Sequence, residues 1–253
     1  MCHPRLPSRT VVLAAHGTRD PAGVAVARRL ATALRARLPG AAVRLAFVDV
    51  LGPGVREVVA GAPGPVTVVP AFLTSGYHVR TDIPREVAAT RCRDVTVTAA
   101  LGPHPLLVDA LADRLRAAGR RHGDAVVLAA AGSSDPRAVA GVRTAAAQLS
   151  GVLGRRVRVG FVATGAPRVA ELVSGLRRAG ESRVAVASWL LAPGLFHRRL
   201  AGAGAEVVAA PLGVHRAVVD RLTQLAGAPS PGVSWTQTAL IEPSRGAVCI
   251  QHA

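Results

Sequence analysis

The sequence contains no lysine: all 31 of its basic residues are arginine, against 15 acidic residues in a chain of 253. Alanine, glycine, valine and proline are abundant, which is typical of proteins encoded by GC-rich DNA, so part of the net charge of +16 need carry no functional message. Aromatic residues make up only 3%, too few for the stacking platforms of single-stranded nucleic-acid binders. We therefore expect no nucleic-acid partner, although a polyanionic small substrate would benefit from the same electrostatic field.

Cysteines are scarce and widely spaced. Cys2, Cys92 and Cys249 form neither a CxxC pair nor a disulfide framework, so we expect free thiols in a reducing compartment. Long apolar runs are also missing, since none approaches the roughly 18 residues that mark a membrane-spanning helix. The N-terminal residues lack the apolar region and cleavage site of a secretory signal. The sequence predicts a soluble cytoplasmic protein without a membrane partner.

Short runs rich in valine and alanine alternate with longer segments of helical periodicity, which predicts βαβ units and a parallel sheet. In the first half the predicted strands are residues 10–15, 43–48, 66–71 and 95–100, with helices at 21–38, 54–60, 83–89 and 105–118. In the second half the predicted strands are 125–130, 157–162, 184–188 and 206–210, with helices after Asp135, Ala166, His197 and Val214. The predicted fold class is α/β, with two tandem three-layer domains, each a mainly parallel four-stranded sheet flanked by helices.

Three motifs recur in the same order at nearly one spacing. AAHGTRDP at 14–21 matches AAAGSSDP at 129–136, VRLAFVDVLGP at 43–53 matches VRVGFVATGAP at 157–167, and LGPHPLLVDAL at 101–111 matches LGVHRAVVDRL at 212–222. The offsets of 115, 114 and 111 residues hardly drift. We infer an internal duplication, with one domain at 1–120, a second at 121–227, and an irregular tail at 228–253 carrying one short strand near 239–241.

Three polar side chains follow predicted strands of the first half. His16 and Asp49 come directly after the first and second strands, and His78 follows the third through a short loop. Ligands bind at the carboxyl edge of open parallel sheets. Two imidazoles and a carboxylate leave a coordination position open, as reactive metal sites require, and Co²⁺, Fe²⁺, Ni²⁺ and Zn²⁺ all suit such a set. The alternative for each residue is structural: a satisfied polar histidine, or an aspartate that caps the next helix.

The second half supplies an internal control for this site. Ala131 stands opposite His16, Ala163 opposite Asp49, and Phe196 opposite His78, while the surrounding motifs persist. If the three polar residues were structural, the second copy should need them too. Their joint loss indicates a chemical role for the first-half set.

The other histidines receive structural roles. His104 and His215 recur in both copies within LGxH at a helix start, which favours capping or packing, although His104 could also line the cleft. His197 is interpreted as a surface residue at a helix start.

The segment GYHVRTDIP, residues 76–84, surrounds His78 with further candidates. Gly76 would act as a hinge, and Asp82 would cap the helix entered through Pro84. Three arginines fall near the predicted mouth of the site, where they would pair with carboxylates of an acidic ligand or simply remain solvated: Arg19, Arg80 and Arg85.

AHGTRDP, AFVDVLGP and PAFLTSGYHVRTDIP resemble the sirohydrochlorin chelatase family, class II cobalto- or ferrochelatases, over residues 10–225. The resemblance implies that His16, Asp49 and His78 hold the metal, with the two histidines catalytic and Asp49 standing where glutamate is common. It implies a fused two-domain form whose second half has lost its site. The expected substrate-binding residues are Arg19, Arg80, Arg85, Gly76 and Tyr77.

The resemblance also implies a reaction. A lyase-type chelatase would insert Fe²⁺, for siroheme, or Co²⁺, for cobalamin, into a tetrapyrrole with eight carboxylates, which gives the arginines a target. The metal is then a substrate, and no permanently bound cofactor is expected. We expect a monomer with a pseudo-twofold repeat that binds the tetrapyrrole between its halves. Two alternatives remain open: a metal-delivery protein of the same fold, and an anion or nucleic-acid binder driven by the charge.

Overall fold

Two four-stranded parallel sheets organise the computed structural model, which describes residues 9–227. The first sheet contains β1 (Arg9–Ala15), β2 (Ala41–Phe47), β3 (Val66–Pro70) and β4 (Val95–Val97) in the order β2-β1-β3-β4. The second contains β5 (Ala125–Gly132), β6 (Val157–Thr164), β7 (Val184–Trp189) and β8 (Val207–Val208) in the equivalent order β6-β5-β7-β8. The predicted α/β class is confirmed, and the two halves share one topology, as a repeat requires.

Helices follow the strands in both halves. The first half has α1 (Pro21–Arg37), α2 (Val55–Ala60), a π-helical turn (His78–Asp82), α3 (Ile83–Ala88) and α4 (Pro105–Ala117). The second half has α5 (Pro136–Leu153), α6 (Val169–Arg178), α7 (Leu195–Ala201) and α8 (Arg216–Gly227). Helix α7 begins two residues before His197, not after it as predicted.

The two sheets enclose a shared apolar layer. Side chains of α1, α4, α5 and α8 pack together between the sheets. The fully buried leucines of this layer come from both halves and include Leu30, Leu34, Leu107, Leu111, Leu149 and Leu222. Each such leucine contributes roughly 2 kcal/mol of burial. Helices α2 and α3 cover the outer face of the first sheet, and α6 and α7 cover that of the second. The division at residue 120 stays a prediction, because this layer belongs to both halves.

Strand β1 is buried on both faces. Val11 and Leu13 point into the central layer, and Val12 and Ala14 into the outer one. This explains why β1 reads as a continuous apolar run instead of an alternating one. The run ends at His16, the first exposed side chain beyond the strand.

One edge strand of each sheet, β4 in the first and β8 in the second, is shorter than predicted. Strand β4 ends at Val97 and not at residue 100, and β8 has only two residues. Val68 is in register with Val97, and Thr98 donates to Val68 O at 2.9 Å. The next ladder bond would need an N–H from Pro70, which has none. The missing N–H of Pro70 in β3 therefore explains why β4 ends at Val97.

The repeated histidines cap helices, as predicted. His104 Nδ1 accepts from Leu106 N at 3.3 Å, and His215 Nδ1 accepts from Ala217 N at 3.2 Å. Burial lowers the pKa of His104, with the nearby Arg221 charge acting in the same direction, which suits a neutral acceptor. The interpretation of His197 as a surface residue is wrong, since it is half-buried with Nε2 3.3 Å from Ala209 O.

Several predictions fall outside the described residues: the irregular tail at 228–253 with its strand near 239–241, Cys2, and Cys249. Cys92 is a free, half-buried thiol. Across residues 9–227, the helices are too short or too polar to span a lipid bilayer.

Candidate metal centre

His16 and His78 lie together at the carboxyl edge of the first sheet. Their ring centroids are 4.8 Å apart with an interplanar angle of 60°. They meet because β1 and β3 are adjacent parallel strands: His16 directly follows β1, and His78 follows β3 through residues 71–77. Phe72 contacts both rings, with centroid distances of 6.1 Å to His16 and 5.9 Å to His78. The result is an imidazole pair on an aromatic base, with His16 exposed and His78 half-buried.

Gly17 fixes the backbone that presents His16. Its φ is +86°, and a Cβ at this position would lie 2.0 Å from Asp49 O. The close approach lets Asp49 N donate to His16 O at 3.1 Å, which ties the first two loops together. Gly132 repeats the arrangement in the second half, with φ +100° and Thr164 O at 1.7 Å from an added Cβ. The glycine after His16 therefore belongs to the scaffold that both halves share.

Asp49 does not join the imidazole pair. Its Oδ1 accepts the N–H of Val50 at 2.7 Å, and Val50 has φ 68°, a strained conformation for a β-branched residue. Asp49 does not cap α2 either, because the N-cap is Gly54. Among residues 9–227, no three His, Cys, Asp or Glu side chains are arranged to hold a metal ion. The structure thus brings two of the three predicted ligands together, and the ligand role of Asp49 stays a prediction.

Asp82 contacts His78 directly, and its predicted capping role is wrong. The side chain makes no hydrogen bond at the start of α3; instead Oδ2 lies 2.7 Å from His78 Nδ1. The π-helical turn, closed by Ile83 N–H to His78 O, brings positions 78 and 82 to one side. Arg85 Nη2 approaches the other oxygen, Oδ1, at 3.2 Å. The sequence signal for this pair was the i,i+4 spacing of two polar residues.

The contact with Asp82 bears on the chemistry of His78. When the imidazole is neutral and the carboxylate ionised, the carboxylate can only accept, so the ring proton lies on Nδ1 and Nε2 carries the lone pair. Carboxylate–histidine pairs of this kind orient metal ligands and raise their basicity. Asp82 is therefore a direct partner of His78 that the sequence did not predict.

The three predicted substrate arginines lie in different surroundings. Arg19 is exposed in the loop after β1. Arg80 Nη1 lies 3.9 Å from Asp135 Oδ2, across the boundary between the halves, and Arg85 pairs with Asp82. Tyr77 is exposed, and Gly76 packs against α5, where an added Cβ would lie 3.6 Å from Ala138 Cβ. Substrate binding by these five residues stays a prediction.

The loops of the two halves meet at this edge through matched ion pairs. Arg80 faces Asp135, the N-cap of α5, and Arg198 forms an ion pair with Asp20, the N-cap of α1. The Arg198 hydrogen bond is the largest of the effects that lower the pKa of Asp20. Asp20 corresponds to Asp135 in the repeat. The carboxyl edges of both sheets therefore face one region.

The second-half positions lack ligand groups. Ala131 and Ala163 lie in β5 and β6, and Phe196 lies in the first turn of α7, where it is 38% exposed. Two surface cavities, of about 690 and 590 Å³, lie elsewhere and include none of His16, Asp49 or His78. We place the candidate site at the imidazole pair, because ligand chemistry and not cavity size identifies a metal centre. His16 is exposed and His78 half-buried, so the pair can be reached from solvent.

Comparison with known proteins shows the same fold. SirB from Bacillus subtilis with Fe³⁺ is 21% identical with a TM-score of 0.75, over 87% of this chain and 94% of that chain. The sirohydrochlorin chelatase SirB from Bacillus subtilis subspecies spizizenii in complex with cobalt is 21% identical with a TM-score of 0.70, over 86% and 93%. CbiX, described as the terminal enzyme of siroheme biosynthesis in denitrifying bacteria, is 19% identical with a TM-score of 0.63, over 86% and 97%. No curated protein sequence matches.

The sequence model of the CbiX family matches this chain twice, at residues 10–118 and 125–227. The matches coincide with the two sheets and cover most of the chain. Each half thus carries the family pattern, although only the first carries the imidazole pair. The chain therefore belongs to the CbiX family.

Proposed function

We propose that this protein inserts a divalent metal, Fe²⁺ or Co²⁺, into a sirohydrochlorin-type tetrapyrrole. The observation that carries the proposal is the imidazole pair of His16 and His78 at the carboxyl edge of the first sheet, with Asp82 Oδ2 2.7 Å from His78 Nδ1. Family membership adds support, because solved structures with this fold include a sirohydrochlorin chelatase in complex with cobalt.

The two imidazoles match the chemical demands of metal insertion. The tetrapyrrole loses two pyrrole protons as it gains a dication, so two protons must leave the site. Neutral imidazole both binds divalent ions and accepts protons near pH 7. In the proposed mechanism His16 and His78 hold the incoming metal and then take up pyrrole protons as the metal passes to the ring. Asp82 stabilises the imidazolium that forms on His78.

Asp49 is proposed as a third ligand that engages when the metal arrives. Its carboxylate would leave the Val50 N–H, 2.7 Å away, and turn to the cation. The positive φ of Val50 keeps this loop in a strained conformation, a feature common at ligand sites. A carboxylate here would balance the charge of the dication.

Arginines at the mouth are proposed to bind the substrate carboxylates. Arg19 is exposed, and the ion pairs of Arg80 and Arg85 lie at the surface, where such pairs contribute about 0–1 kcal/mol. These arginines can therefore exchange a weak internal partner for a bidentate substrate carboxylate. We propose a monomer, because one chain supplies both repeats. We further propose that the protein is cytoplasmic and needs no permanently bound cofactor.

Side-by-side insertion of Fe²⁺ and Co²⁺ into sirohydrochlorin tests the proposal. Under anaerobic conditions, the wild-type protein should shift the absorption spectrum of the tetrapyrrole faster than a control without protein. The faster metal would identify the product class. Metal binding without any acceleration would favour the metal-delivery alternative. Salt-dependent DNA binding that survives His16→Ala would favour the nucleic-acid alternative.

Replacing Asp82 should weaken the metal site without unfolding the protein. We expect Asp82→Ala to lower Co²⁺ affinity roughly 10- to 100-fold, because His78 loses the partner that fixes its tautomer and orientation. The Co²⁺ affinity of Asp82→Asn, which keeps an acceptor oxygen but no charge, should lie between those of the wild type and Asp82→Ala. A titration followed by the Co²⁺–imidazole absorption bands measures the effect.

Glu86→Gln is the matched control for Asp82, since Glu86 lies four residues later, on α3, and its carboxylate is also near Arg85, at 4.0 Å. It should bind Co²⁺ like the wild type. Unchanged Co²⁺ affinity in Asp82→Ala would contradict the role assigned to Asp82.

A further inference from the structure

Large apolar side chains are exposed at few positions among residues 9–227, and most of these lie at one edge. Five are exposed: Val50, Tyr77, Val152, Leu195 and Phe196. Val50 follows β2, Tyr77 follows β3, and Leu195 and Phe196 follow β7, so four of the five lie beyond the carboxyl ends of strands. Clustered exposed apolar groups mark binding surfaces, whereas isolated ones need no explanation.

Leu195 and Phe196 occupy a defined position relative to the imidazole pair. In the repeat, Phe196 stands opposite His78, and Leu195 opposite Tyr77. The segment that carries them is held against α1 at both ends: a Cβ at Gly23 would lie 3.3 Å from Pro193 O, and Arg198 pairs with Asp20. Phe196 therefore lies between two contacts to the segment that follows His16.

Helix α7, which carries Phe196, is packed against the rest of the second half. Leu200 is buried in the outer apolar layer of the second half. His197 Nε2 lies 3.3 Å from Ala209 O. These contacts fix the helix and leave Phe196 at the surface beside the region that both carboxyl edges face.

We propose that Leu195 and Phe196 form an apolar platform that binds one face of the tetrapyrrole macrocycle. This inference rests on the proposed function and deepens it by assigning the second half a substrate-binding role. The chemistry is complementary: a broad apolar ring matches two large apolar side chains, and carboxylates at the ring periphery match the exposed Arg199, which lies three residues after Phe196 on the same helix. At position 196 the second half carries a phenylalanine where the first half carries the imidazole of His78.

Binding of metal-free sirohydrochlorin, followed by its fluorescence, tests the platform. Phe196→Ser should raise the dissociation constant about tenfold or more, because one large apolar contact is removed. Leu195→Ser should act in the same direction, and Phe196→Trp should bind like the wild type. Val152→Ser is the control, since Val152 is also an exposed apolar side chain but lies near the end of α5.

The platform also predicts that its replacement affects binding of the tetrapyrrole and not binding of the metal. Phe196→Ser should raise KM for the tetrapyrrole and leave Co²⁺ affinity unchanged, since the imidazole pair is intact. If both serine variants bind sirohydrochlorin as tightly as the wild type, the platform is wrong and the proposed function stands. If the wild type itself fails to bind sirohydrochlorin, the proposed function and the platform both fall.

Discussion

Replacing either His16 or His78 by alanine is expected to abolish metal insertion and leave the fold intact. Each variant removes one of two imidazoles whose centroids are 4.8 Å apart, and so removes a metal ligand and a proton acceptor together. Loss of general-base assistance alone typically costs 10²- to 10⁴-fold in rate. Both rings lie beyond the buried strands, with His16 exposed, so the apolar layers are untouched. The measurement is the rate of the tetrapyrrole absorbance change at saturating metal.

His122→Ala is the control for these variants, because His122 is exposed in the connection between the halves. It should insert metal at the wild-type rate. The double variant of His16 and His78 should lose no more activity than either single variant, since the two rings act as one unit. Wild-type rates in both single variants would remove the basis of the proposed function.

Replacing Gly17 or Gly132 by alanine should destabilise the protein strongly. Both glycines have positive φ, +86° and +100°, and an added Cβ would lie 2.0 Å from Asp49 O or 1.7 Å from Thr164 O. Backbone atoms cannot move aside as the end of a side chain can. We expect a loss of about 3 kcal/mol or more for each variant, from the left-handed conformation and the forced shift of the neighbouring loop. For a chain of this size that corresponds to roughly 6–12 °C in Tm.

Gly175→Ala separates this effect from glycine replacement in general. Gly175 lies within α6 with no atom within 4 Å of an added Cβ, so alanine should stabilise the helix by up to about 1 kcal/mol. Thermal unfolding followed by circular dichroism compares the three variants. A wild-type Tm for Gly132→Ala would show that the shared loop geometry is not required. Equal losses for Gly17→Ala and Gly132→Ala would show that this glycine serves the scaffold in both halves.

Most of the fold could be predicted from the sequence, because its signals are local. Strands such as β1 read as continuous apolar runs, and helices α1 and α4 begin with proline in the first turn. The capping roles of His104 and His215 followed from their recurrence at the same helix position. The prediction failed at β4, where the missing N–H of Pro70 on the neighbouring strand decides the length. The strand propensity of a segment does not show whether the neighbouring strand has the backbone N–H groups needed to pair with it.

The site was predictable only in outline. Parallel strands end at one edge, so the sequence could place His16, Asp49 and His78 in the same region. Side-chain direction depends on the turn that follows each strand, and the structure differs from the prediction at two of these side chains. Because residues 78–82 form a π-helical turn, the Asp82 side chain contacts His78 and does not cap α3. The Asp49 side chain accepts the backbone N–H of Val50.

By itself, the sequence determined the α/β class, the repeated order of strands and the location of the polar residues, because hydrophobic periodicity and strand direction act within each segment. Only the tertiary structure decided that His16 and His78 form a pair without Asp49, that Arg80 faces Asp135, and that Phe196 lies beside the segment after His16. These contacts join residues from 55 to 178 positions apart in the chain, and their geometry depends on how two sheets pack around one shared apolar layer.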